Sequence, residues 1–278
     1  FLSFNRPSLV FGMGGYSSFP ICIAAKIIRI PFIIYENNLH IGKANKYLLP
    51  FAEKVFVSHK ELEGISERYT KKVFEIGNII RKEIIDFRGE PNFNQKDKKL
   101  KILILGGSQA AKIFAEKIPQ VFKECNKAKI PLKIYQQCLP EQNQFLTSLY
   151  KDENIDFEIF NFSNKILDYF AKINLAITRS GSSISAELIN SKIPFISVPL
   201  PSSADNHQLK NAIYYEKKGY SFLVEEKDLD TRLLKLIKKI NENKSILNQI
   251  IGKQRQYSDK SVYENIDRQI TETINEKY

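Results

Sequence analysis

The residues best suited to chemistry are glycines and hydroxyls at the ends of apolar runs. Leu100 to Leu105 is such a run; it stops at Gly106-Gly107, Ser108 follows, and Phe114, Ile118, Val121 and Phe122 then recur at helical spacing. Strand, glycine turn and helix start together make an anion site. Glycine lets the backbone approach a ligand, and the helix N-terminus offers free N–H groups and the positive end of a dipole. Gly12-Met13-Gly14-Gly15 stands in the same way after Ser8–Phe11, with a helix expected over Ser17–Ile28 and Pro20 in its first turn. Arg179-Ser180-Gly181-Ser182-Ser183 follows the run Leu175–Thr178. Three such turns in one chain point to a nucleotide or diphosphate ligand. None reads G-x-x-x-x-G-K-[ST], so this is not a P-loop NTPase.

These turns need an α/β frame, and the pattern supplies one. Strands are expected at Leu9–Phe11, Pro31–Tyr35, Lys54–Val57, Val73–Ile76, Lys101–Leu105, Leu132–Gln136, Phe157–Phe160, Leu175–Thr178, Pro194–Val198 and Ser221–Leu223. Helical stretches separate most of them, which argues for parallel α/β layers. The polar, Gly- and Pro-containing run at 87–99 reads as a linker. It divides a first α/β domain at 1–86 from a second at 100–250. A helical segment at 251–278 follows and is expected to return to the first domain. Leu233, Leu234, Ile237 and Ile240 mark one of the late helices.

Composition bounds the answer. The 278 residues are 43% hydrophobic, enough for one or two domains with cores. Cys22, Cys125 and Cys138 have neither a disulfide framework nor metal spacing, which favours a reducing cytoplasm. No stretch of ~20 uninterrupted apolar residues marks a transmembrane helix. The net charge of +11 implies attraction to anionic membrane or phosphorylated ligands, although much of the lysine excess reads as solvated surface. No zinc-finger, RRM-type or KH-type motif appears, so nucleic acid is not an expected partner. Asp228-Leu229-Asp230 has the look of a D-x-D metal motif, but it precedes a helix and Asp230 reads as its N-cap, so no metal is assigned.

The motifs occur in one telling order: Gly14-Gly15-Tyr16-Ser17-Ser18-Phe19-Pro20, Glu36-Asn37-Asn38, Gly77-Asn78-Ile79-Ile80-Arg81, Gly106-Gly107-Ser108-Gln109-Ala110-Ala111, Arg179-Ser180-Gly181 with Ala186-Glu187, and Asp205-Asn206-His207-Gln208 with Asn211-Ala212. The set resembles the MurG family, the bacterial N-acetylglucosaminyltransferases that form lipid II in peptidoglycan synthesis. The likeness runs over nearly the whole chain. It implies a GT-B fold, two Rossmann-like domains across a cleft. It also implies an inverting transfer of GlcNAc from UDP-GlcNAc to the MurNAc C4 hydroxyl of lipid I. No cofactor is implied. The setting would be the cytoplasmic face of the inner membrane, peripherally held on anionic lipid and near other cell-wall synthesis proteins.

The family's first loop, G-G-T-G-G-H, does not appear, and the chain opens at Phe1 with its first strand close behind. The histidine of that loop is the family's favoured general-base candidate. It is expected upstream of Phe1, so no catalytic residue is assigned within the chain. The N-terminal domain is accordingly expected to be incomplete and the chain as given inactive. Two alternatives remain: another GT-B UDP-sugar enzyme, such as a glycolipid synthase or an epimerase, and a non-catalytic nucleotide-binding fragment.

The resemblance carries residue roles. Glu187 would bind the ribose hydroxyls, since a carboxylate can accept from both hydroxyls of a diol. Ser108 would touch the donor diphosphate, and Arg81 the donor nucleotide; each has a structural rival, N-capping for Ser108 and an interdomain salt bridge for Arg81. Ser182 and Ser183 lie where donor oxygens would meet a helix start. Ser163 matches a position that reads uracil through its backbone. His207 and Gln208 match the pair that reads GlcNAc hydroxyls, Gln208 the firmer of the two, and Asn211 reads as a loop organiser. On the acceptor side stand Gly14, Gly15, Tyr16 and Asn38; Glu36 is equally well a buried hydrogen-bonder. The chain departs from the family pattern at Ala110, where Gly is usual, at Ile79, where Pro is usual, and at Tyr35, where His is common.

Overall fold

Two parallel sheets organise the chain. The computed structural model describes residues 2–87 and 99–276, and of residues 107–111 only the backbone. Phe1, the position upstream of which the general base is expected, lies outside the described residues, so the structure does not bear on that expectation. One compact unit comprises residues 1–80 with 259–278, the other residues 81–258.

In the first unit, α1 (Leu2–Asn5), β1 (Val10–Gly12), α2 (Gly15–Ile27), β2 (Phe32–Glu36), α3 (Lys43–Leu48), β3 (Lys54–Val57) and β4 (Val73–Glu75) follow in order. The sheet order is β1-β2-β3-β4, all parallel, with Val10 beside Phe32 and Ile33 beside Lys54. Every residue of β2 and β3 is buried, as expected of parallel strands covered on both faces. The exception in kind is Lys54. Its ammonium donates to Gln269 Oε1 at 3.0 Å and pairs with Glu272 at 3.4 Å, both on the C-terminal helix Val262–Asn275. That helix therefore belongs to this sheet. Helix α2 begins earlier than Ser17, because Gly14 (φ 80°) and Gly15 (φ 74°) take left-handed backbone at the turn. Pro20 thus sits inside the helix, beyond its first turn, and withholds one N–H from the ladder.

The second unit contains α4 (Lys82–Ile85), β5 (Leu100–Leu105), α5 (Gly107–Lys127), β6 (Leu132–Gln137), α6 (Asn143–Asp152), β7 (Asp156–Phe160), α7 (Ile166–Phe170), β8 (Leu175–Thr178), α8 (Ser182–Asn190), β9 (Phe195–Ser197), α9 (His207–Lys217), β10 (Phe222–Leu223), α10 (Leu234–Glu242) and α11 (Ser245–Gln254). The sheet order is β10-β9-β8-β5-β6-β7, again all parallel. Phe114, Ile118, Val121 and Phe122 are all buried in the core, as their spacing requires. Leu233, Ile237 and Ile240 join the same core, where α10 and the turn before it pack against α5.

The units divide at Ile80/Arg81 and Ser258/Asp259, not at 86/87 and 250/251. The reason is packing: α4 lies against α8 of the second unit. Most of the stretch read as a linker, residues 88–98, lies outside the described residues.

One local device recurs at five helix ends. After α2, α5, α6, α8 and α9 come Arg29, Lys129, Asn154, Lys192 and Gly219, each at φ between 51° and 75°. The following N–H, from Ile30, Ile130, Ile155, Ile193 or Tyr220, then reaches back along the helix, for example Ile130 N to Cys125 O at 3.0 Å. This is the Schellman cap, with an apolar residue tucked in after the left-handed one. All four isoleucines are buried, and a strand starts shortly after each. The chain thus repeats a short junction signal that its periodicity alone does not reveal.

Candidate functional site

Strand β5 is flanked by β8 on one side and β6 on the other. The strand order reverses there, and in open α/β sheets ligands bind outside the C-terminal strand ends at such a point. A cleft of about 400 Å³ opens at that place. It is lined from four strand ends: Leu105 of β5 with Gly106 after it, Gln137 of β6, Phe160 of β7, and Thr178 of β8 with Arg179 after it. Neighbouring strands are ~4.8 Å apart, so the lining runs across about 14 Å, the length of an extended nucleoside diphosphate.

Two of the expected donor residues meet in this cleft. Arg81 Nε donates to Glu187 Oε1 and Arg81 Nη2 to Glu187 Oε2, both at 3.0 Å. The pair is a planar two-pronged fork, and the carboxylate raises the guanidinium pKa above its ordinary value. Both partners belong to the second unit, so the fork is not an interdomain bridge. Ser163 also lines the cleft, and its hydroxyl accepts from Lys165 N–H at 3.0 Å, closing a tight turn at the cavity rim. Gly106 and Gly181, the caps of α5 and α8, are in the lining as well. Ser108 is in the first turn of α5, but its side chain lies outside the described residues.

Other expected residues sit off the cleft. Ser182 is buried at the start of α8 and Ser183 faces solvent. His207 opens α9 with Nδ1 2.7 Å from the Ala204 carbonyl, and Gln208 Oε1 accepts from Leu200 N–H at 3.0 Å. Neither lines the cavity. The backbone before them is left-handed at Asp205 (φ 50°) and Asn206 (φ 54°). Asn211 organises the β8–α8 turn by donating to the Ser180 carbonyl at 3.2 Å. Asp230 is not an N-cap. It lies inside a π-helical turn, Leu229–Leu233, and pairs with Lys117 at 3.1 Å, while Asp228 faces Arg232.

Sequence reading passed over Arg179, although it stands in a quoted motif. It is buried, its Nη1 donates to the carbonyls of Val198 and Pro199 at 3.3 Å, and its Nη2 pairs with Glu226 at 2.6 Å. The ring of Phe114 lies 4.9 Å from the guanidinium carbon. A buried arginine, its charge paired with Glu226, thus stands at the floor of the cleft. Gln137, Phe162 and Asn164 complete the far rim and were likewise not singled out. Their signal was only their place at or just past a strand end.

In the first unit the acceptor-side candidates share the C-terminal edge of the sheet. Gly14 packs so closely that a Cβ would meet Tyr35 O at 3.2 Å. Glu36 is buried and takes four donors: Asn38 N–H at 3.1 Å, Asn38 Nδ2 at 3.0 Å, Gly42 N–H at 2.9 Å and Asn45 Nδ2 at 2.9 Å. It is the hydrogen-bonder of that loop and fixes Asn38. Gly15 opens α2, and Tyr16 next to it is 80% exposed.

Residues 101–268 match the glycosyltransferase family 28 C-terminal domain, and residues 2–57 match the family 28 N-terminal domain. The chain belongs to glycosyltransferase family 28. Within that family it is of MurG type. A Pelagibacter ubique protein named UDP-N-acetylglucosamine--N-acetylmuramyl-(pentapeptide) pyrophosphoryl-undecaprenol N-acetylglucosamine transferase is 32% identical over 276 residues, 98% of this chain and 76% of the relative. A Francisella tularensis protein of the same name is 32% identical over 97% of this chain and 73% of its own length. The crystal structure of Acinetobacter baumannii MurG superposes with a TM-score of 0.81 at 25% identity, covering 98% of this chain and 76% of that one. Staphylococcus aureus MnaA with UDP shares the fold, with a TM-score of 0.68 at 14% identity over 99% of this chain and 78% of that one. A family 28 member of this type has the GT-B fold, and its two parallel sheets are those described above.

Proposed function

We propose that the protein to which this family 28 chain belongs transfers GlcNAc from UDP-GlcNAc to lipid I, the reaction for which its relatives are named, and that it does so with inversion at the anomeric carbon. The observation that carries the reading is the switch-point cleft holding the Arg81–Glu187 fork in a chain of MurG type. In this reading the diphosphate lies between the N-termini of α5 and α8, where Ser108, Ser182 and Ser183 stand. Free N–H groups and helix dipoles there offset the charge that grows on the departing UDP. The uracil lies at Ser163, the ribose diol on Glu187, and the sugar toward His207 and Gln208. Lipid I meets the edge formed by Gly14, Gly15, Tyr16 and Asn38.

The acceptor's lipid requires work at a bilayer surface, and the first unit offers a face for it. Leu2, Pro20, Ile21, Ala24 and Ile28 line an apolar groove of about 610 Å³. Phe4 and Ile27 are 94% and 75% exposed, and Lys26 and Arg29 stand in the same stretch. Apolar side chains with adjacent cations suit an anionic membrane. No helix of the described residues is long and apolar enough to cross a membrane.

Calorimetry on the chain with UDP, UDP-GlcNAc and ADP tests the donor reading. Binding of the two uridine nucleotides with at least about tenfold weaker binding of ADP is the expected result, a gap of ~1.4 kcal/mol; no binding of either sinks it. Incubation with UDP-GlcNAc alone separates the epimerase alternative, which would change the sugar without an acceptor.

A further inference from the structure

The peptide group between Pro199 and Leu200 is held at both ends by side chains of the second unit. Its carbonyl accepts from Arg179 Nη1 at 3.3 Å, and its N–H donates to Gln208 Oε1 at 3.0 Å. We infer that Arg179 is a positioning residue: acting through this one peptide group, it fixes which end of the Gln208 amide is free, so that Gln208 offers its Nε2 donors to the sugar of the nucleotide. The inference rests on the placement of the sugar toward Gln208 proposed above. It adds the residue that sets the amide and the polarity with which the amide reads its ligand.

The sequence creates the need for such a tie. Strand β9 ends at Ser197, and Val198-Pro199-Leu200-Pro201 follows. Proline has no N–H, so the ladder stops there, yet Val198 and Pro199 are buried and their carbonyls still need donors. Arg179 supplies both from Nη1, while its Nη2 is taken by Glu226. The peptide is trans, so its C=O and N–H point opposite ways, with Arg179 on one side and Gln208 on the other. Hydrogen bonds in such a chain strengthen one another. A backbone N–H can only donate, so the Gln208 atom that faces Leu200 is the oxygen. Turning the amide over would set donor against donor. Its Nε2 has no hydrogen-bond partner among the described residues. The loop is closed in two further places: Ser203 Oγ accepts from Gln208 N–H at 3.4 Å, and the left-handed Asp205 and Asn206 turn the chain into α9. Gln208 is thus set before a sugar arrives, which lowers the cost of ordering it. Arg179 lines the nucleotide cleft and Gln208 lies beyond it, so the arginine joins the cleft floor to the residue past its edge.

The test compares UDP with UDP-GlcNAc by calorimetry on the full chain, on Gln208→Ala, on Arg179→Met paired with Glu226→Gln, and on all three changes together. The paired variant removes both charges, so neither is left buried alone. The readout is the affinity for UDP-GlcNAc relative to that for UDP. In Gln208→Ala and in the paired variant it should fall at least about fivefold, with UDP within about twofold of its native affinity. All three changes together should lower it no further than Gln208→Ala does, because the arginine acts through the glutamine. Additive losses overturn the inference. So does an equal loss for both nucleotides in the paired variant, which would put the guanidinium on the diphosphate. Hydrogen exchange at the Leu200 N–H gives a readout without ligand. It should quicken at least about tenfold in the paired variant, and a native rate there overturns the inference. Thermal melts check folding; Arg179→Lys, which keeps a charge beside Glu226, is the milder change and should shift the nucleotide preference the same way. If the native chain binds neither nucleotide, the donor-site reading itself fails and this inference with it. If it binds both and the preference is native in both variants at 179, the inference alone fails.

Discussion

Asp259 and Asn78 lock together the two places where the chain leaves and re-enters the first unit. Asp259 Oδ1 accepts from the Asn78 backbone N–H at 2.7 Å, and the acid is buried. The segment 76–80 has no helix or strand of its own, so its polar backbone needs side-chain partners. Asn265 donates to the Ile76 carbonyl at 3.3 Å, Tyr35 Oη accepts from Ile79 N–H at 3.1 Å, and Tyr263 donates to the Ile80 carbonyl at 2.7 Å. The strap that ends at Arg81 is thus held by side chains from β2 and from the returning C-terminal segment.

Removing the acid should therefore be costly. Asp259→Ala is expected to lower stability by about 2–3 kcal/mol, the range for hydrogen bonds to a charged group left unmade. Gly77→Ala should cost at least about 2 kcal/mol, because Gly77 sits at φ 96° and a Cβ would lie 2.7 Å from Asp259 Oδ1. Urea titrations followed by circular dichroism measure both. A change below about 0.5 kcal/mol for either would show that the strap is held by something else.

Tyr35 should make the protein sensitive to alkali. Burial pushes its phenol up from 10.0 to about 12. A pKa raised on folding favours the protonated form, so its contribution is fully present below pH 10 and is lost as pH rises through about 12. Such a shift corresponds to roughly 2–3 kcal/mol over that window. Stability measured at about pH 9 and about pH 11, either side of the ordinary phenol value, should fall less in Tyr35→Phe than in the native chain. The variant should already be weaker at the lower pH, because the Ile79 N–H loses its acceptor. An equal fall in both would remove Tyr35 as a cause.

A helix cap offers the opposite sign. Lys129 holds φ 57° after α5; a side chain there costs about 1–2 kcal/mol and glycine does not. Its side chain is exposed. Lys129→Gly is expected to stabilise by about 0.5–1 kcal/mol, the strain relieved less the extra freedom of the unfolded chain. A lower melting temperature would mean that the lysine has a role the backbone does not reveal.

The apolar face of α2 should govern membrane binding. Co-sedimentation with anionic vesicles is expected to be weak, reversible and reduced by salt, since exposed charges are screened over ~8 Å at physiological ionic strength. Ile21→Ser with Ile27→Ser should reduce it at least about threefold without lowering the melting temperature, because both side chains are more than half exposed. Binding that survives both the substitutions and high salt would place the contact elsewhere on the chain.

The sequence by itself determined the layers. Each of the ten expected strands has its counterpart among the described residues, because short apolar runs between helical stretches are local and self-evident. The glycine turns after β1, β5 and β8 were legible for the same reason, and their order pointed to the family. Only the tertiary structure decided which charges meet. Arg81 and Glu187 are 106 residues apart and come together because α4 packs on α8. Arg179 looked like a residue of a turn, yet the placement of β9 beside β8 and of Glu226 near it buries its charge under the cleft. Lys54 only opened an expected strand until a helix 215 residues later supplied Gln269. Periodicity is a property of neighbours along the chain, whereas the partner of a charge is chosen by strand order and helix packing, which no local window contains.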